Sequence, residues 1–371
     1  MSNEHPDTNV REHRGWAGIF AVVLSLVILG GGSLLVVTQG VGYIKDRLTS
    51  AGDYPGPGSG EVIFEVREGD TLAAMGRSLK EQGIVATVEA FTEAAASDSD
   101  STGIQVGYYE LRKEMAAEDA LEILINPANL IRNTVTVPEG LRATDIIDLL
   151  VSKSDFKRGA FEKVLADPDV LGLPKYAKGE VEGYLFPATY DFGPKATPKS
   201  MLSAMVQRWE QSAERSDLTK RAKALGYNPA EVMIVASLVQ AEARLPEDLP
   251  KVSRVIYNRL DTQGAPTYGL IGIDATVNYA LGRKLGVALT QEELEVDSPY
   301  NTRKYPGLPP GPIESPGDDA IEAALNPTPG DWFFYVTVNL RTGETKFAET
   351  YDEFLIYKSE FATYCETSEA C

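Results

Sequence analysis

The alternation of apolar and polar positions divides the chain into stretches of different character. Residues 1–14 are polar and charged. Between Arg14 and Lys45 no charged residue occurs, and the segment from about 16 to 38 is almost wholly apolar. A helix needs about 20 such residues to cross a bilayer, so a single N-terminal transmembrane helix is expected over 15–44. The run is longer than a signal-peptide core and no small-x-small cleavage site follows, which favours a retained anchor. Residues 51–60, A-G-D-Y-P-G-P-G-S-G, close a Pro/Gly-rich linker over 45–60.

Beyond the linker the period shifts between two and 3.6. E-V-I-F-E-V-R-E-G-D-T-L reads as a strand, a turn at 68–70 and a helix over 71–82. A similar unit follows at N-T-V-T-V-P-E-G-L-R-A-T-D-I-I-D-L-L, with a turn at Pro138, Glu139 and Gly140 and a helix N-capped by Thr144, so the two form a weak internal repeat. Between them lie a polar loop at 97–101, a short strand at 106–112 and a helix near 117–125. A polar amphipathic helix is expected over 199–224. The stretch 227–260 opens with Asn228 as N-cap, Pro229 at the first helical position and Glu231 beyond it, then an apolar run at helical spacing. Val232, Val235, Val239 and Glu242 fall at steps of three and four, so one carboxylate ends the apolar stripe. A long loop dense in Pro and Gly occupies 298–318, a helix 320–325, and a hairpin turning near 341–344 follows.

Composition narrows the chemistry. Of 371 residues the only histidines are His5 and His13, both before the apolar segment, and the only cysteines are Cys365 and Cys371. The body therefore lacks the His of a Ser-His-Asp or Cys-His nucleophile or of a His-rich zinc site, which points to carboxylate chemistry without cofactor or metal. A net charge of −19 argues against a nucleic-acid partner. Glu242 alone fits two readings: a solvated helix residue paired with Arg244 or Arg254, or a half-buried carboxyl raised toward the pKa a general acid needs. The non-helical stretch V-E-G-Y-L-F-P-A-T-Y-D-F at 181–192 combines a carboxylate with aromatics, as a sugar subsite does and as a core edge does too. Asp274 begins a short helix, either as cap or as substrate contact. Cys365 and Cys371 are spaced so that a disulfide is permitted but not required.

V-R-E-G-D-T-L at 66–72 resembles the opening of a LysM glycan-binding module, although its Gly and Asp also have a plain use in a turn and a helix start. Taken in order, E-G-Y-L-F-P-A-T-Y, A-S-L-V-Q-A-E, V-I-Y-N-R-L, D-A-T-V-N-Y-A-L-G and Y-N-T-R-K-Y-P-G-L-P-P-G-P-I-E-S-P-G resemble the YceG-like family of endolytic murein transglycosylases. The resemblance implies an α+β protein: a cytoplasmic tail (1–14), the membrane anchor, a LysM-like α/β subdomain (61–130) and a mixed α+β catalytic domain (131–371) outside the membrane. It implies a membrane-anchored lytic transglycosylase that cuts the β-1,4 bond between N-acetylmuramic acid and N-acetylglucosamine of peptidoglycan strands, leaving 1,6-anhydro ends, with peptidoglycan synthases as further partners. A scaffold that holds glycan without cutting it is the alternative. By motif, Glu242 is the catalytic acid, and Glu182, Tyr184, Tyr190, Asn258, Asp274, Tyr300, Asn301 and Thr302 are expected to bind substrate. Two departures stand out: Gln240 replaces the first Glu of the family's A-S-x-x-E-x-E, and Thr345 stands where the family's G-H-x-F has His. A rival serine acyl-enzyme reading rests on Ser154 and Lys157 in an S-x-x-K pattern.

Overall fold

The computed structural model describes residues 52–283, 289–368 and 370–371, and divides between Arg132 and Asn133 into two units. The expected tail and anchor, 1–14 and 15–44, lie outside the described residues. Among the described helices none is long and apolar enough to cross a membrane.

The first unit begins with β1 (Ser59–Val66), α1 (Leu72–Glu81), α2 (Val88–Ser97) and β2 (Gly107–Lys113), and ends with α3 (Ala117–Ile125) and β3 (Leu130–Ile131). β1 and β3 both pair antiparallel with β2, with Phe64 opposite Tyr109. Period two puts Phe64, Val66, Tyr109 and Leu111 on one buried face, and α1–α3 cover it with Leu79, Phe91 and Leu124. In the V-R-E-G-D-T-L turn, Gly69 takes φ +80°, Asp70 Oδ2 accepts the Arg67 N–H at 2.9 Å, and Thr71 caps α1 through the Ala74 N–H. Gly and Asp thus have the plain structural use, with Thr71 as the cap.

The second unit runs β4 (Thr134–Thr136), α4 (Ala143–Ser152), α5 (Arg158–Leu165), β5 (Thr189–Asp191), α6 (Pro198–Arg215), α7 (Leu218–Leu225), α8 (Pro229–Glu242) and α9 (Leu249–Asp261). It continues with α10 (Asp274–Ala280), α11 (Gln291–Leu294), α12 (Asp318–Leu325), β6 (Phe334–Asn339), β7 (Glu344–Ala348) and α13 (Tyr351–Thr367). β4 pairs with β5 and β6 with β7, both antiparallel, so helices and small sheets make a mixed α+β body. Two of the expected elements differ. The helix expected over 199–224 is two, α6 and α7, because Asp217 adopts φ +53° and turns the chain between them. Thr144 does not cap α4; its first N–H, that of Ala143, is taken by Glu182 Oε1 at 2.9 Å from across the fold.

α8 is the centre of this unit. Asn228 and Glu231 form a reciprocal capping box at its start, and Val232–Val239 is buried on every side rather than along one stripe. A helix apolar all round needs neighbours all round, and α7, α9, α10 and α12 supply them. The Pro/Gly-rich loop closes over its C-terminal half: the Ile313 N–H donates to Ser237 Oγ at 3.1 Å and the Gly317 N–H to Gln240 Oε1 at 2.9 Å. At the chain end, a disulfide joins Cys365 to Cys371.

Candidate active site

Because α8 is enclosed, its last residue emerges at the edge of the core. Glu242 is half-buried and lines a cleft of about 520 Å³ together with Arg259, Asp274, Arg303, Tyr335, the loop around Tyr268, and the aromatics Phe334, Tyr351 and Phe354. The Tyr335 hydroxyl donates to Glu242 Oε2 at 2.7 Å, while among the described residues nothing hydrogen-bonds Oε1. Burial pushes the Glu242 carboxyl up from its ordinary value, and the Asp274 charge adds to this. The Tyr335 hydrogen bond and the Arg259 and Arg303 charges oppose it. A helix C-terminus, with its unpaired carbonyls, also disfavours an anion. The result is a carboxyl whose protonated form is favoured over that of an ordinary glutamate, with one oxygen fixed by Tyr335 and the other without a hydrogen bond among the described residues.

Its cationic neighbours are themselves fixed. Arg259 on α9 donates to the Phe333 carbonyl at 2.6 Å and to that of Ile271, and its guanidinium lies 5.8 Å from the Tyr335 ring centre. Arg303 pairs with Asp274 at the start of α10. Among the described residues no three His, Cys, Asp or Glu gather as a metal site.

A second group of acids is electrostatically linked to the first. Glu314, buried in the loop over α8, is pushed up to about 8 by burial and by the charges of Glu182 and Glu242, against the pull of Arg142. Glu182 is raised to about 7 by burial, despite accepting from the Ala143 N–H and from the Tyr279 hydroxyl at 3.4 Å. Arg142 lies 5.0 Å over the Tyr279 ring, and its Nε and Nη2 have no hydrogen-bond acceptor among the described residues.

Of the residues expected at the site, the structure brings Glu242 and Asp274 together on the cleft wall. The others do their bonding inside the protein. Tyr184 packs edge-on to Trp209 at 4.9 Å, and the Tyr190 hydroxyl donates to the Phe186 carbonyl. Asn258 donates to the Gly330 and Trp332 carbonyls at 2.9 Å, tethering the chain that leads into β6. Asn301 donates to the Leu294 and Val296 carbonyls, and Thr302 Oγ1 accepts the Ile273 N–H and meets Thr276. Tyr300 leans on Tyr279 at 4.7 Å, and Glu182 caps α4. Thr345 pairs with Thr337 across the hairpin. Ser154 donates to the Leu150 carbonyl, and neither it nor Lys157 lines the cleft with Glu242.

Tyr335, Arg259, Arg303 and Tyr268 were not among the expected site residues. Arg259 and Arg303 do lie inside V-I-Y-N-R-L and Y-N-T-R-K, so the motifs held the signal. Tyr335 carries none, because its role depends on how the hairpin packs against the end of α8.

The profile of the YceG-like family matches residues 64–360. The endolytic murein transglycosylase of Bacillus subtilis (strain 168) is 29% identical over 309 residues, covering 79% of this chain and 82% of that protein. The protein of the same name from Streptococcus pneumoniae serotype 2 (strain D39) is 30% identical over 322 residues, covering 79% of this chain and 57% of its own length. A crystal structure of a yceG-like protein from Listeria monocytogenes, 26% identical, superposes with a TM-score of 0.53 over 80% of this chain and 99% of that one.

Proposed function

The chain belongs to the YceG-like family, and from that premise we propose that it cleaves the β-1,4 bond between N-acetylmuramic acid and N-acetylglucosamine in peptidoglycan strands, with Glu242 as the catalytic acid. Its relatives are endolytic murein transglycosylases, and it is an enzyme of that lytic class. The observation that carries the assignment to Glu242 is its double environment: Oε2 held by Tyr335, Oε1 without a donor among the described residues, and the carboxyl raised by burial on a cleft wall.

In the proposed reaction Glu242 gives its proton to the leaving glycosidic oxygen as the C1–O bond breaks. The resulting carboxylate takes the proton of the muramic C6 hydroxyl as that oxygen bonds to C1. Water is not consumed, Glu242 ends protonated as it began, and the product carries a 1,6-anhydro end. Because the nucleophile belongs to the substrate, one carboxyl serves both steps, unlike the pair in an ordinary glycosidase. Asp274 and Arg303 provide hydrogen-bonding groups for sugar hydroxyls beside it. In this proposal Asn258, Asn301 and Thr302 hold in place the segments that carry Tyr335, Asp274 and Arg303, while Glu182, Tyr184, Tyr190 and Tyr300 support the domain away from the cleft lining.

The absence of charge between Arg14 and Lys45 supports the segment 15–44 as a membrane anchor, and membership of a cell-wall enzyme family supports a body outside the membrane. The β1–α1–α2–β2 arrangement of the first unit supports a LysM-like, glycan-holding role for that unit. Incubating the full-length protein with purified peptidoglycan and analysing the fragments by mass spectrometry tests the reading. Fragments ending in 1,6-anhydro-N-acetylmuramic acid are expected from wild type and not from Glu242→Gln. Intact glycan from folded wild type overturns it.

A further inference from the structure

The cleft beside Glu242 has an aromatic rim that the catalytic assignment does not use. Tyr268 lines it yet is 88% exposed, well above the 66% of the next large apolar side chain, Ile356, among those described as exposed. It sits on the loop between α9 and α10 with φ +56°, a left-handed conformation that a bulky aromatic residue rarely adopts. Neither feature helps the fold: the ring buries little surface, and a glycine would hold that backbone with less strain.

The loop is nevertheless firmly built. The Tyr268 N–H donates to the Ala265 carbonyl at 3.0 Å and the Leu270 N–H to that of Thr267 at 2.9 Å. The Gly307 N–H donates to the Gly269 carbonyl and the Gly272 N–H to that of Thr302, both at 2.9 Å, tying the loop to the segment that carries Arg303. A ring held on a braced turn, open to solvent on a cleft wall, is a rigid apolar surface awaiting a flat partner. Elsewhere on the same cleft, Tyr351 is 55% exposed and packs against Phe334 and Phe354 at 5.7 and 5.8 Å. Glu242, Asp274 and Arg303 share the lining with these rings.

We propose that Tyr268 is a sugar-stacking residue: its ring carries the apolar face of one pyranose of the glycan strand while Asp274 and Arg303 take hydroxyls of the bound saccharide. A pyranose offers C–H groups on its face and hydroxyls around its edge, which matches an aromatic surface flanked by a carboxylate and a guanidinium. The inference rests on the reading of this cleft as the glycan-cleaving site, and adds to it a residue that decides affinity rather than chemistry.

The test uses the full-length chain and glycan strands stripped of their stem peptides. In a Glu242→Gln background, where cleavage is blocked, adding Tyr268→Ala should weaken glycan binding about tenfold, and adding Tyr268→Trp should keep it within about threefold. In the cleaving enzyme Tyr268→Ala should raise KM by a similar factor and leave kcat within about twofold. Tyr268→Gly should lose affinity as Tyr268→Ala does without lowering Tm, since it relieves the positive φ. Unchanged binding and KM in Tyr268→Ala overturn the inference, as does a Tyr268→Gly variant that loses Tm but keeps affinity. Tyr268-dependent binding without anhydro products from wild type would sink the cleavage reading alone. Cleavage with KM indifferent to Tyr268 would sink this inference alone.

Discussion

The Tyr335 hydroxyl donates a 2.7 Å hydrogen bond to Glu242 Oε2, joining the β6–β7 hairpin to the end of the central helix at the one carboxyl proposed to move protons. The bond favours the ionised carboxyl and so works against burial, which favours the protonated one. Removing it in Tyr335→Phe therefore raises the Glu242 pKa further. The proposed reaction begins from protonated Glu242, so the rate falls as pH rises through that pKa. In Tyr335→Phe the alkaline limb of the pH–rate profile should move to higher pH. Product release measured from pH 5 to 9 checks this, and a limb that stays in place or moves down argues against Glu242 as the acid.

Glu242→Gln keeps the shape of the side chain and removes its transferable proton. A positioned general acid contributes about 10²–10⁴-fold, so the rate of anhydro-end formation should fall by at least that range. The circular dichroism spectrum and thermal melt should remain those of a folded protein, because the carboxamide can still accept from Tyr335. Activity within tenfold of wild type would move the proton transfer to another residue.

Glu182 and Glu314 couple stability to pH in a direction opposite to that of an ordinary salt-bridged acid. Their carboxyls are raised to about 7 and about 8 in the folded chain, from an ordinary value of 4.5. Between 4.5 and those values the folded state binds more protons than the unfolded one, so stability is greatest below about pH 4.5. It is lost as pH rises through 7 and 8, at up to ~1.4 kcal/mol per pH unit for each group. Glu314→Gln should remove its share of that slope and raise Tm at pH 8 relative to wild type, with little change at pH 5. Melts at the two pH values decide it: a variant less stable than wild type at pH 8 would mean that Glu314 is ionised and well paired when folded.

How much of this was legible beforehand depended on the range of the interaction. α8 could be read because its start is local: Asn228, Pro229 and Glu231 announce a capped helix within four residues. Glu242 could be singled out because the body lacks histidine and the stripe ends in one acid. The break between α6 and α7 was not legible, since it depends on Asp217 taking a left-handed conformation that helical propensity does not encode. The motif residues were legible as important but not as to role. Asn258 looks like a ligand contact until its carbonyl partners, Gly330 and Trp332, fold against it from the other side of the domain. Tyr335 and Tyr268 escaped for the same reason: a hairpin hydroxyl becomes the partner of Glu242, and a loop tyrosine a cleft wall, only through tertiary packing.

The loop over α8 seats against Gly183, which has φ +83° and whose missing Cβ would lie 2.5 Å from the Pro312 ring. Gly183→Ala combines an unfavourable backbone with a clash against a rigid ring, and should cost about 1–3 kcal/mol, read as a lowered urea midpoint at unchanged m-value. Gly317→Ala looks worse on distance, its Cβ falling 2.0 Å from Glu139 Oε1, but a glutamate tip can swing away and the φ there is −82°. It should cost less than Gly183→Ala. The reverse order would mean that Glu139, not the Pro312 contact, holds the loop down.

Gln240, which replaces the first Glu of the family's helix motif, makes a hydrogen bond of its own, because its Oε1 accepts the Gly317 N–H at 2.9 Å, at the start of α12. A carboxylate can accept the same bond, and anions are favoured at helix N-termini by about 0.3–1 kcal/mol. Gln240→Glu should therefore fold normally and leave activity within about threefold. Gln240→Leu leaves the Gly317 N–H without its acceptor, at a cost of about 1–3 kcal/mol, and should lower both the Tm and, through the loop that carries Glu314, the rate. The comparison separates two roles for the position, because a hydrogen-bond acceptor ranks Glu with Gln and above Leu, whereas a second proton donor ranks Glu far above both. A tenfold or greater gain in anhydro-product formation for Gln240→Glu would show that position 240 takes part in the chemistry, and the single-carboxyl mechanism would have to be given up.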